Sequence, residues 1–514
     1  MSNRMLVNLK NISLTGLTGT LFQGLSLTVN RGEIMALIGG NGCGKSTLLQ
    51  LIKATSNGPV PRSIHDFDLQ GEIYLTPGTR TGLLPQLIGD DDNFIGLLDN
   101  VGLESSAEYL KINSELGLES VSQAVLTLSD GQLQKRSLAY ILSRPYDLYL
   151  LDEPTNYLDL TGLTVFEEYL LQLKERGKSI ILVTHDRALA DAVADQTCYI
   201  STSGIYQVGG GASDAIGAHR HDIDSRKRKS QQIRNKIAQL QADMRQKFGW
   251  SDISEKRKKG AKRARAYYGM KSKKMAKRAV IARKRSEQEQ KRLEEIKPFI
   301  PKQVDLQFPS LEIKRRRVFS LEEISFRYGA KNDRYLLKNI TIAADTSDKI
   351  CLMGSNGTGK TTLLRLILGD LDPVRGKRLI NDGVKTAYIP QGLKGFFNRT
   401  VLLDNFRDCP YTETEIRKYL GAVLLRQDKV IQPLGSFSYG ELMRAAVVRC
   451  ILEQAEFLFW DEPTSHLDIE SITVLENILK EYRGGFVIIS HDRTFVENTA
   501  ENLYLLEHNS VKIL

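Results

Sequence analysis

Two stretches of this 514-residue chain, GGNGCGKST at 39–47 and GSNGTGKTT at 354–362, carry the residue types that bind phosphate. Glycines leave backbone N–H groups free to surround a phosphate chain at the start of a helix, where the helix dipole favours an anion. The lysine would reach the β- and γ-phosphates, and the next residue would hold Mg²⁺. The predicted phosphate-binding residues are Gly39, Asn41, Gly42, Gly44, Lys45, Ser46 and Thr47 in the first copy and Gly354, Asn356, Gly357, Gly359, Lys360, Thr361 and Thr362 in the second.

A carboxylate pair ends an apolar run in each copy, in LLDEP at 150–154 and FWDEP at 459–463. Asp152 and Asp461 are predicted to order the water shell of Mg²⁺. Glu153 and Glu462 are predicted to orient or deprotonate the water that attacks the γ-phosphate. The alternative is that each pair caps a helix, and the position of the pairs within a repeated motif set makes that alternative the weaker one.

A histidine follows another apolar run in each copy, in VTHDR at 183–187 and ISHDR at 489–493. His185 and His491 could polarise the γ-phosphate. A single histidine at such a place would be taken as structural, and the duplication favours the catalytic role.

The chain contains one unit twice, because five motifs recur in the same order at offsets of 305 to 315 residues. Short apolar runs such as IMALIG at 34–39 and KICLMG at 349–354 lead into the glycine-rich loops, as buried parallel strands do. Helical stretches lie between the runs, which predicts an α/β fold with a mainly parallel sheet in each copy. The predicted domains are 1–215 and 311–514, separated by a different segment at 216–310.

Composition excludes several classes of protein. With 41% hydrophobic and 26% charged residues, the chain matches ordinary globular proteins rather than disordered or membrane-embedded ones. No apolar run approaches the ~18 residues of a transmembrane helix, and the opening MSNRMLVNLK lacks a signal-peptide core, so we expect a cytoplasmic protein. The five cysteines form no CxxC pair, which indicates reduced thiols rather than disulfides or a zinc site.

The segment between the two copies is strongly basic. Residues 221–300 hold 26 Lys or Arg and nine Asp or Glu, a net charge of +17 in a chain whose total is +10. Apolar residues at helical spacing predict a first helix at about 222–248, and a second runs from about 262 to 296, forming a hairpin with its tip near 249–268. The run 256–285 has 15 Lys or Arg and no acid, with Tyr267 and Tyr268 among them, which predicts contact with RNA. A solvated coiled coil or a disordered basic tail is the alternative.

The repeated motifs resemble the nucleotide-binding domains of the ATP-binding cassette (ABC) superfamily. LSDGQ at 128–132 and FSYGE at 437–441 resemble its signature motif, and the resemblance implies that two such domains pair head to tail around two ATP molecules with Mg²⁺. Leu158-Asp159 and Leu467-Asp468 would then contact the opposite domain. The ATP-binding residues that the resemblance adds are Ser129, Gly131, Ser438 and Gly440, together with Gln86 and Gln391, which would also serve Mg²⁺.

The two copies depart from that family pattern in different ways. Asp130 and Tyr439 stand where the signature motif usually has glycine. Tyr328 fits the aromatic residue that stacks on adenine, whereas alignment of Phe22 with Leu337 places Gly16 near the corresponding position of the first copy. Adenine packing in the first copy must therefore use another residue, and the two sites are expected to differ.

Two tandem domains with a charged helical linker resemble the ABC-F family of ribosome-associated ATPases. The resemblance implies a monomer that binds the ribosomal E site with ATP and directs its linker, here 222–298, toward 23S rRNA, the P-site tRNA and the peptidyl transferase centre, with no membrane partner. A lean body with an extended linker resembles the antibiotic resistance members. A housekeeping translation factor, an exporter ATPase and a DNA-associated ATPase are the alternatives.

Overall fold

The computed structural model describes residues 5–16, 19–56, 67–86, 106–118, 128–201, 204–260, 265–296, 313–329, 334–393, 395–425 and 428–513. The chain divides into two compact units, one formed by Met1–Ala215 with Lys302–Leu514 and the other by Ile216–Pro301. The two copies of the repeat therefore share one unit. Among the described residues, no helix combines the length and the apolar character needed to cross a membrane.

The first copy contains a three-stranded antiparallel sheet and a six-stranded, mainly parallel sheet. The small sheet has the order β2-β1-β4 and the large one the order β5-β6-β7-β3-β8-β9, in which only β9 is antiparallel to its neighbour. The strands are β1 (Met5–Gly16), β2 (Gly19–Asn30), β3 (Ile34–Gly39), β4 (Asp68–Leu75), β5 (Thr81–Leu84), β6 (Leu148–Asp152), β7 (Ser179–Val183), β8 (Gln196–Ser201) and β9 (Gly204–Gly209). The helices are α1 (Lys45–Ala54), α2 (Ala107–Glu115), α3 (Asp130–Leu142), α4 (Leu160–Glu175) and α5 (Arg187–Val193).

The second copy repeats this topology with sheets β11-β10-β13 and β14-β15-β16-β12-β17-β18. Its strands are β10 (Arg317–Phe326), β11 (Leu337–Asp345), β12 (Lys349–Met353), β13 (Arg375–Ile380), β14 (Thr386–Ile389), β15 (Phe457–Asp461), β16 (Gly485–Ile489), β17 (Asn502–Glu507) and β18 (Ser510–Ile513). The helices that follow the linker are α8 (Lys360–Leu368), α9 (Glu413–Ala422), α10 (Tyr439–Leu452), α11 (Ile469–Glu481) and α12 (Arg493–Thr499). The predicted α/β class and the mainly parallel sheets are confirmed.

The large sheets place the predicted site residues at one edge. The central strands β3, β6 and β7 are fully buried and parallel, so the glycine-rich loop, the Asp-Glu pair and the histidine all follow the carboxyl ends of adjacent strands. Strands β12, β15 and β16 repeat this arrangement. Ligands of α/β folds bind at such an edge.

The second unit is a pair of long helices, α6 (Ala212–Gly260, 49 residues) and α7 (Arg265–Ile296, 32 residues). Lys236 Nζ on α6 lies 2.7 Å from Glu289 Oε1 on α7. Lys236 is as far before the end of α6 at Gly260 as Glu289 is after the start of α7 at Arg265, so the two helices run antiparallel. Ile237 on α6 and Ala282 on α7 are buried between them.

The predicted end of the first helix at Gly249 is wrong, because α6 continues through that glycine to Gly260. Glycine inside a helix costs about 1 kcal/mol relative to alanine, which long flanking helical sequence outweighs. The side chains of Phe248, Trp250, Tyr267 and Tyr268 lie outside the described part of the chain.

Candidate functional site

The glycine-rich loops adopt a conformation that only glycine adopts without strain. Gly44 and Gly359 precede α1 and α8 with φ of 92° and 101°, in the left-handed region. A Cβ on Gly44 would lie 2.9 Å from the Phe22 ring, so a side chain there would also clash. The loop lysines point back into their own loops. Lys45 Nζ donates to the carbonyls of Gly39 and Gly40, each at 2.9 Å, and Lys360 Nζ makes the matching bonds in the second copy.

In each copy, two of the three predicted magnesium residues lie together at the end of the phosphate-binding loop, Ser46 with Asp152 and Thr361 with Asp461. Burial raises the pKa of Asp152 to about 6, partly offset by the adjacent Ser46 hydroxyl. Burial also raises the pKa of Asp461, and the hydroxyl of Thr361 partly offsets this effect. Asp152 Oδ1 is buried and has no hydrogen-bond partner among the described residues. A buried carboxylate oxygen beside a hydroxyl is the donor set that Mg²⁺ prefers, so these residues fit the ion.

The glutamates predicted to act on water are held in unusual backbone conformations beside the predicted histidines. Glu153 and Glu462 have φ of 46° and 51°, which is uncommon outside glycine and is a form of strain concentrated at functional sites. His185 Nε2 lies 3.1 Å from Glu153 Oε1, and His491 Nε2 lies 3.4 Å from Glu462 Oε1. None of the four ring nitrogens has an aligned hydrogen-bond partner among the described residues, so each histidine can bond a ligand.

The two glutamates have different acidity. Burial alone would raise the pKa of Glu153, but the neighbouring imidazole of His185 and the Asn156 amide, whose Nδ2 donates at 2.9 Å to Oε2, hold it at about 2. Burial raises the pKa of Glu462 in spite of nearby Lys360. Burial and Lys360 also lower the pKa of His491 to about 4, which leaves its ring neutral at physiological pH. Glu153 is therefore an anion at neutral pH, whereas the raised pKa of Glu462 favours its neutral form.

The signature segments begin helices beside the loops that follow the glutamates. Ser129 and Ser438 are the N-caps of α3 and α10, and each forms a capping box with the residue three positions on. A Cβ on Gly131 would lie 3.4 Å from Tyr157, and one on Gly440 would lie 2.8 Å from Ser471. The absence of a side chain is therefore required at Gly440, which lies close to the start of α11, whereas a Cβ at Gly131 would make an ordinary van der Waals contact.

Tyr439 departs from the usual signature glycine by turning toward its own copy. Its hydroxyl accepts a hydrogen bond from Gly392 N at 3.3 Å, and its ring lies edge-on to His466 with centroids 6.4 Å apart. His466 also faces Tyr157 of the first copy at 6.4 Å. The side chain of Asp130 lies outside the described residues.

The two copies face each other through the loops at 157–159 and 466–468. Asp159 Oδ2 accepts a hydrogen bond from Asn356 N at 2.9 Å, and Asp468 Oδ2 accepts one from Asn41 N at 3.0 Å. Each loop aspartate thus contacts the phosphate-binding loop of the opposite copy, as the resemblance implied. Each site is thereby built next to residues of both copies.

Other predicted residues take separate places around the sites. Gln86 follows β5 and Gln391 follows β14, and both are exposed. Tyr328 is half exposed, and its hydroxyl lies 3.0 Å from Thr362 Oγ1 at the start of α8. The side chain missed by sequence reasoning is Phe67, whose ring lies against Gly16. Only the pairing of β1 with β4, which sequence does not reveal, brings these two residues together.

Comparison with known proteins decides the family. A family model described as ABC transporter matches residues 22–156 and again residues 337–465, which together make up just over half of the chain. The chain belongs to the ATP-binding cassette family. Each copy of the repeat is an ABC cassette, and the protein is an ATPase.

Relatives similar to this ABC protein extend over nearly its whole length. It is 27% identical to the probable ATP-binding protein YheS of Escherichia coli K12, over 96% of this chain and 77% of the relative. It is 28% identical to the ATP-binding protein Uup of Buchnera aphidicola, over 98% and 81%. ATP-binding cassette sub-family F member 3 of Mus musculus is 26% identical, over 98% and 72%. These matches confirm the resemblance to the ABC-F group of tandem-cassette ATPases.

Solved structures show the same tandem-cassette fold. The archaeal ribosome recycling factor aABCE1, solved with the ribosomal stalk protein aP1, matches with a TM-score of 0.65 at 20% identity, over 99% of this chain and 89% of that one. The RNase-L inhibitor matches with a TM-score of 0.61 at 19% identity, over 98% and 89%.

Proposed function

We propose that this ABC ATPase binds ribosomes in the cytoplasm when ATP holds its cassettes together, and that its basic hairpin contacts ribosomal RNA and tRNA. The observation that carries the proposal is the charge of the hairpin. Its 15 cationic side chains at 256–285 have no acid among them, and they would repel one another unless phosphates neutralise them. The exposed cations described there include Lys273, Lys274, Lys277 and Arg278.

In this proposal, ATP binding and hydrolysis by the cassettes determine when the protein binds the ribosome and when it is released. ATP bound by one phosphate-binding loop would be closed over by the other cassette, because Asp159 and Asp468 already bridge to the opposite loops. Mg²⁺ held by Ser46 with Asp152, and by Thr361 with Asp461, would neutralise charge on the phosphates. Glu153 would accept a proton from the attacking water, and a nitrogen of His185 would hold the γ-phosphate. Hydrolysis would then release the closed state.

Trapping the closed state tests the proposal. Glu153→Gln with Glu462→Gln keeps the shape of both side chains but removes the carboxylates that take the proton. The double variant should bind ATP, lose hydrolysis at least about 100-fold, and co-sediment with ribosomes in ATP but not in ADP. Wild type with ADP is the matched control. Failure of the ATP-bound variant to co-sediment with ribosomes contradicts the proposal.

The finer proposal is that the protein occupies the ribosomal E site and protects the peptidyl transferase centre from antibiotics. What supports it is the length of the first helix of the hairpin, whose 49 residues span about 70 Å at 1.5 Å per residue. Expression in a sensitive host should raise the inhibitory concentration of a macrolide, lincosamide, streptogramin or phenicol. Unchanged inhibition by all four classes, with ribosome binding intact, favours a housekeeping translation factor.

A DNA-associated ATPase is the second candidate, because duplex DNA presents the same phosphate charge. Binding to purified ribosomes and to duplex DNA across a salt series separates the two. Both interactions weaken with salt, so the discriminating result is the preferred partner at one ionic strength.

A further inference from the structure

The two cassettes differ at the position predicted to supply the aromatic side chain that stacks on the base of ATP. In the first cassette, Leu14 on β1 pairs with Phe22 on β2. In the second, Phe326 on β10 pairs with Leu337 on β11. Phe22 and Leu337 stand equally far before the phosphate-binding loops, so the strand register makes Leu14 equivalent to Phe326. Two residues further on, Gly16 is equivalent to Tyr328.

A second exchange accompanies the first. Ser13 pairs with Gln70 on β4, and Ser325 pairs with Arg375 on β13, so three residues before these partners Phe67 is equivalent to Asp372. Asp372 has a side chain that is 91% exposed, and it pairs with Arg378 at 3.3 Å. Where the second cassette has tyrosine and aspartate, the first therefore has glycine and phenylalanine.

The phenylalanine fills the position that the glycine leaves open. A Cβ built on Gly16 would lie 2.8 Å from Phe67 Cε1 and 3.0 Å from Cδ1, so the ring lies directly on the glycine. Phe67 is partly buried, and it packs against the core of the first cassette, as do Leu21 and Cys43, a residue of the phosphate-binding loop. Phe67 directly precedes β4, and its ring lies at the position equivalent to that of Tyr328 in the second cassette.

We propose that Phe67 is the residue on which the adenine of ATP stacks in the first site, in the role predicted for Tyr328 in the second. An aromatic ring that packs on one side can stack on a purine with its other face. Such stacking requires only that the ring lies beside the base, whichever segment of the chain carries it. Gly16 makes this possible, because any side chain there would collide with the ring. The inference rests on nucleotide binding at Lys45 and not on the ribosomal part of the proposed function.

The test isolates the first site and separates base contacts from phosphate contacts. In a Lys360→Ala background, which removes binding at the second loop, affinity is measured by calorimetry for ATP and for inorganic tripolyphosphate. Phe67→Ala should weaken the affinity for ATP about 5- to 100-fold, the usual effect of losing one stacking ring. It should leave the affinity for tripolyphosphate unchanged. Phe67→Tyr should bind ATP within about three-fold of the parent, because tyrosine offers an equivalent stacking face. Equal weakening of both ligands, or unchanged ATP binding, overturns the assignment.

A transplanted pair completes the test. Gly16→Tyr alone should weaken ATP binding because the new side chain collides with Phe67. Gly16→Tyr with Phe67→Asp recreates the second cassette's arrangement and should restore ATP binding. The matched control is Tyr328→Ala in a Lys45→Ala background, which should also weaken ATP but not tripolyphosphate. If the transplanted pair binds ATP no better than Phe67→Ala, the assignment is wrong. A Lys360→Ala parent that binds no ATP contradicts the first site itself, independently of any result with ribosomes.

Discussion

At the scale of single residues, two partly buried aspartates cap the short helices that follow the predicted catalytic histidines. Asp186 accepts a hydrogen bond from Leu189 N, and Asp492 accepts one from Phe495 N. Burial raises the pKa of both, that of Asp492 to about 6 in spite of nearby Arg187. The unfolded chain releases this proton near pH 4. Stability from protonated Asp492 is therefore full below about pH 4 and is lost as pH rises through 6.

Replacing Asp492 with asparagine should stabilise the protein at neutral pH. Asparagine caps helices as well as aspartate but carries no charge to bury. We expect a gain of about 1 to 3 kcal/mol at pH 7 that shrinks steadily between pH 6 and pH 4. Thermal unfolding of variant and wild type across this range measures it. A gain that is the same at pH 4 and pH 7 contradicts the assigned ionisation.

At the scale of elements, matching arginines link each short helix to a long helix of the opposite cassette. Arg187 on α5 contacts Glu476 on α11, and both are almost fully buried. Arg493 on α12 lies 3.8 Å from Glu167 on α4, and that arginine is 38% exposed. The pseudo-symmetric contacts therefore differ in solvation, the property that decides the cost of breaking them.

Removing the buried arginine should cost far more than removing its exposed counterpart. Arg187→Ala leaves Glu476 charged without its partner, at a cost of about 3 to 5 kcal/mol, whereas Arg493→Ala should cost below about 1 kcal/mol. The apparent melting temperatures of the two variants compare them directly. Arg187→Met with Glu476→Leu should recover much of the loss, because no buried charge remains. Equal losses from the two single variants contradict this account.

The loop aspartates each make two bonds that a substitution can separate. Asp159 Oδ1 caps α4 through Gly162 N, while Oδ2 accepts from Asn356 N of the other cassette. Asp159→Ser keeps a capping oxygen but is too short to make both bonds. We expect ATP hydrolysis to fall about ten-fold with little change in melting temperature, and Asp468→Ser to behave alike. A lower melting temperature with unchanged hydrolysis would assign the residue to capping alone.

Much of this arrangement could be predicted from sequence, because the motifs are local and the buried strands carry continuous apolar runs. IMALIG and KICLMG predicted β3 and β12, and a strand that runs into a glycine-rich loop has few alternative structures. Phe67 could not be predicted, since its contact with Gly16 depends on the register between β4 and β1. The sequence pattern predicted a helix end at Gly249, but α6 continues through it, because the free-energy cost of one glycine is small compared with the stabilisation from the rest of a 49-residue helix.

At the scale of the whole molecule, the hairpin divides its charges into paired and unpaired sets. Near the open end of the hairpin, Arg226 pairs with Asp222 at 2.8 Å, and Lys236 pairs with Glu289 at 2.7 Å. Cations nearer the turn lie in a stretch whose sequence has no acid between 256 and 285. Arg283 of this stretch pairs with Glu287 at 2.9 Å, whereas Lys273, Lys274, Lys277 and Arg278 have no acidic partner among the described residues. These four cations form the unpaired set, which is free to release counterions to a nucleic acid.

Neutralising four unpaired cations should weaken ribosome binding more than neutralising four paired ones. The test variant changes Lys273, Lys274, Lys277 and Arg278 to Gln, and the matched control changes Arg226, Lys227, Lys236 and Arg292, each of which has an acidic partner. Each lost phosphate contact should reduce the slope of log affinity against log salt by about 0.7 to 0.9. We therefore expect a shallower slope and weaker binding for the test variant, with ATP hydrolysis in the absence of ribosomes unchanged in both. Equal slopes for the two variants would mean that the unpaired cations do not meet phosphates, and the hairpin would then act through its shape rather than its charge.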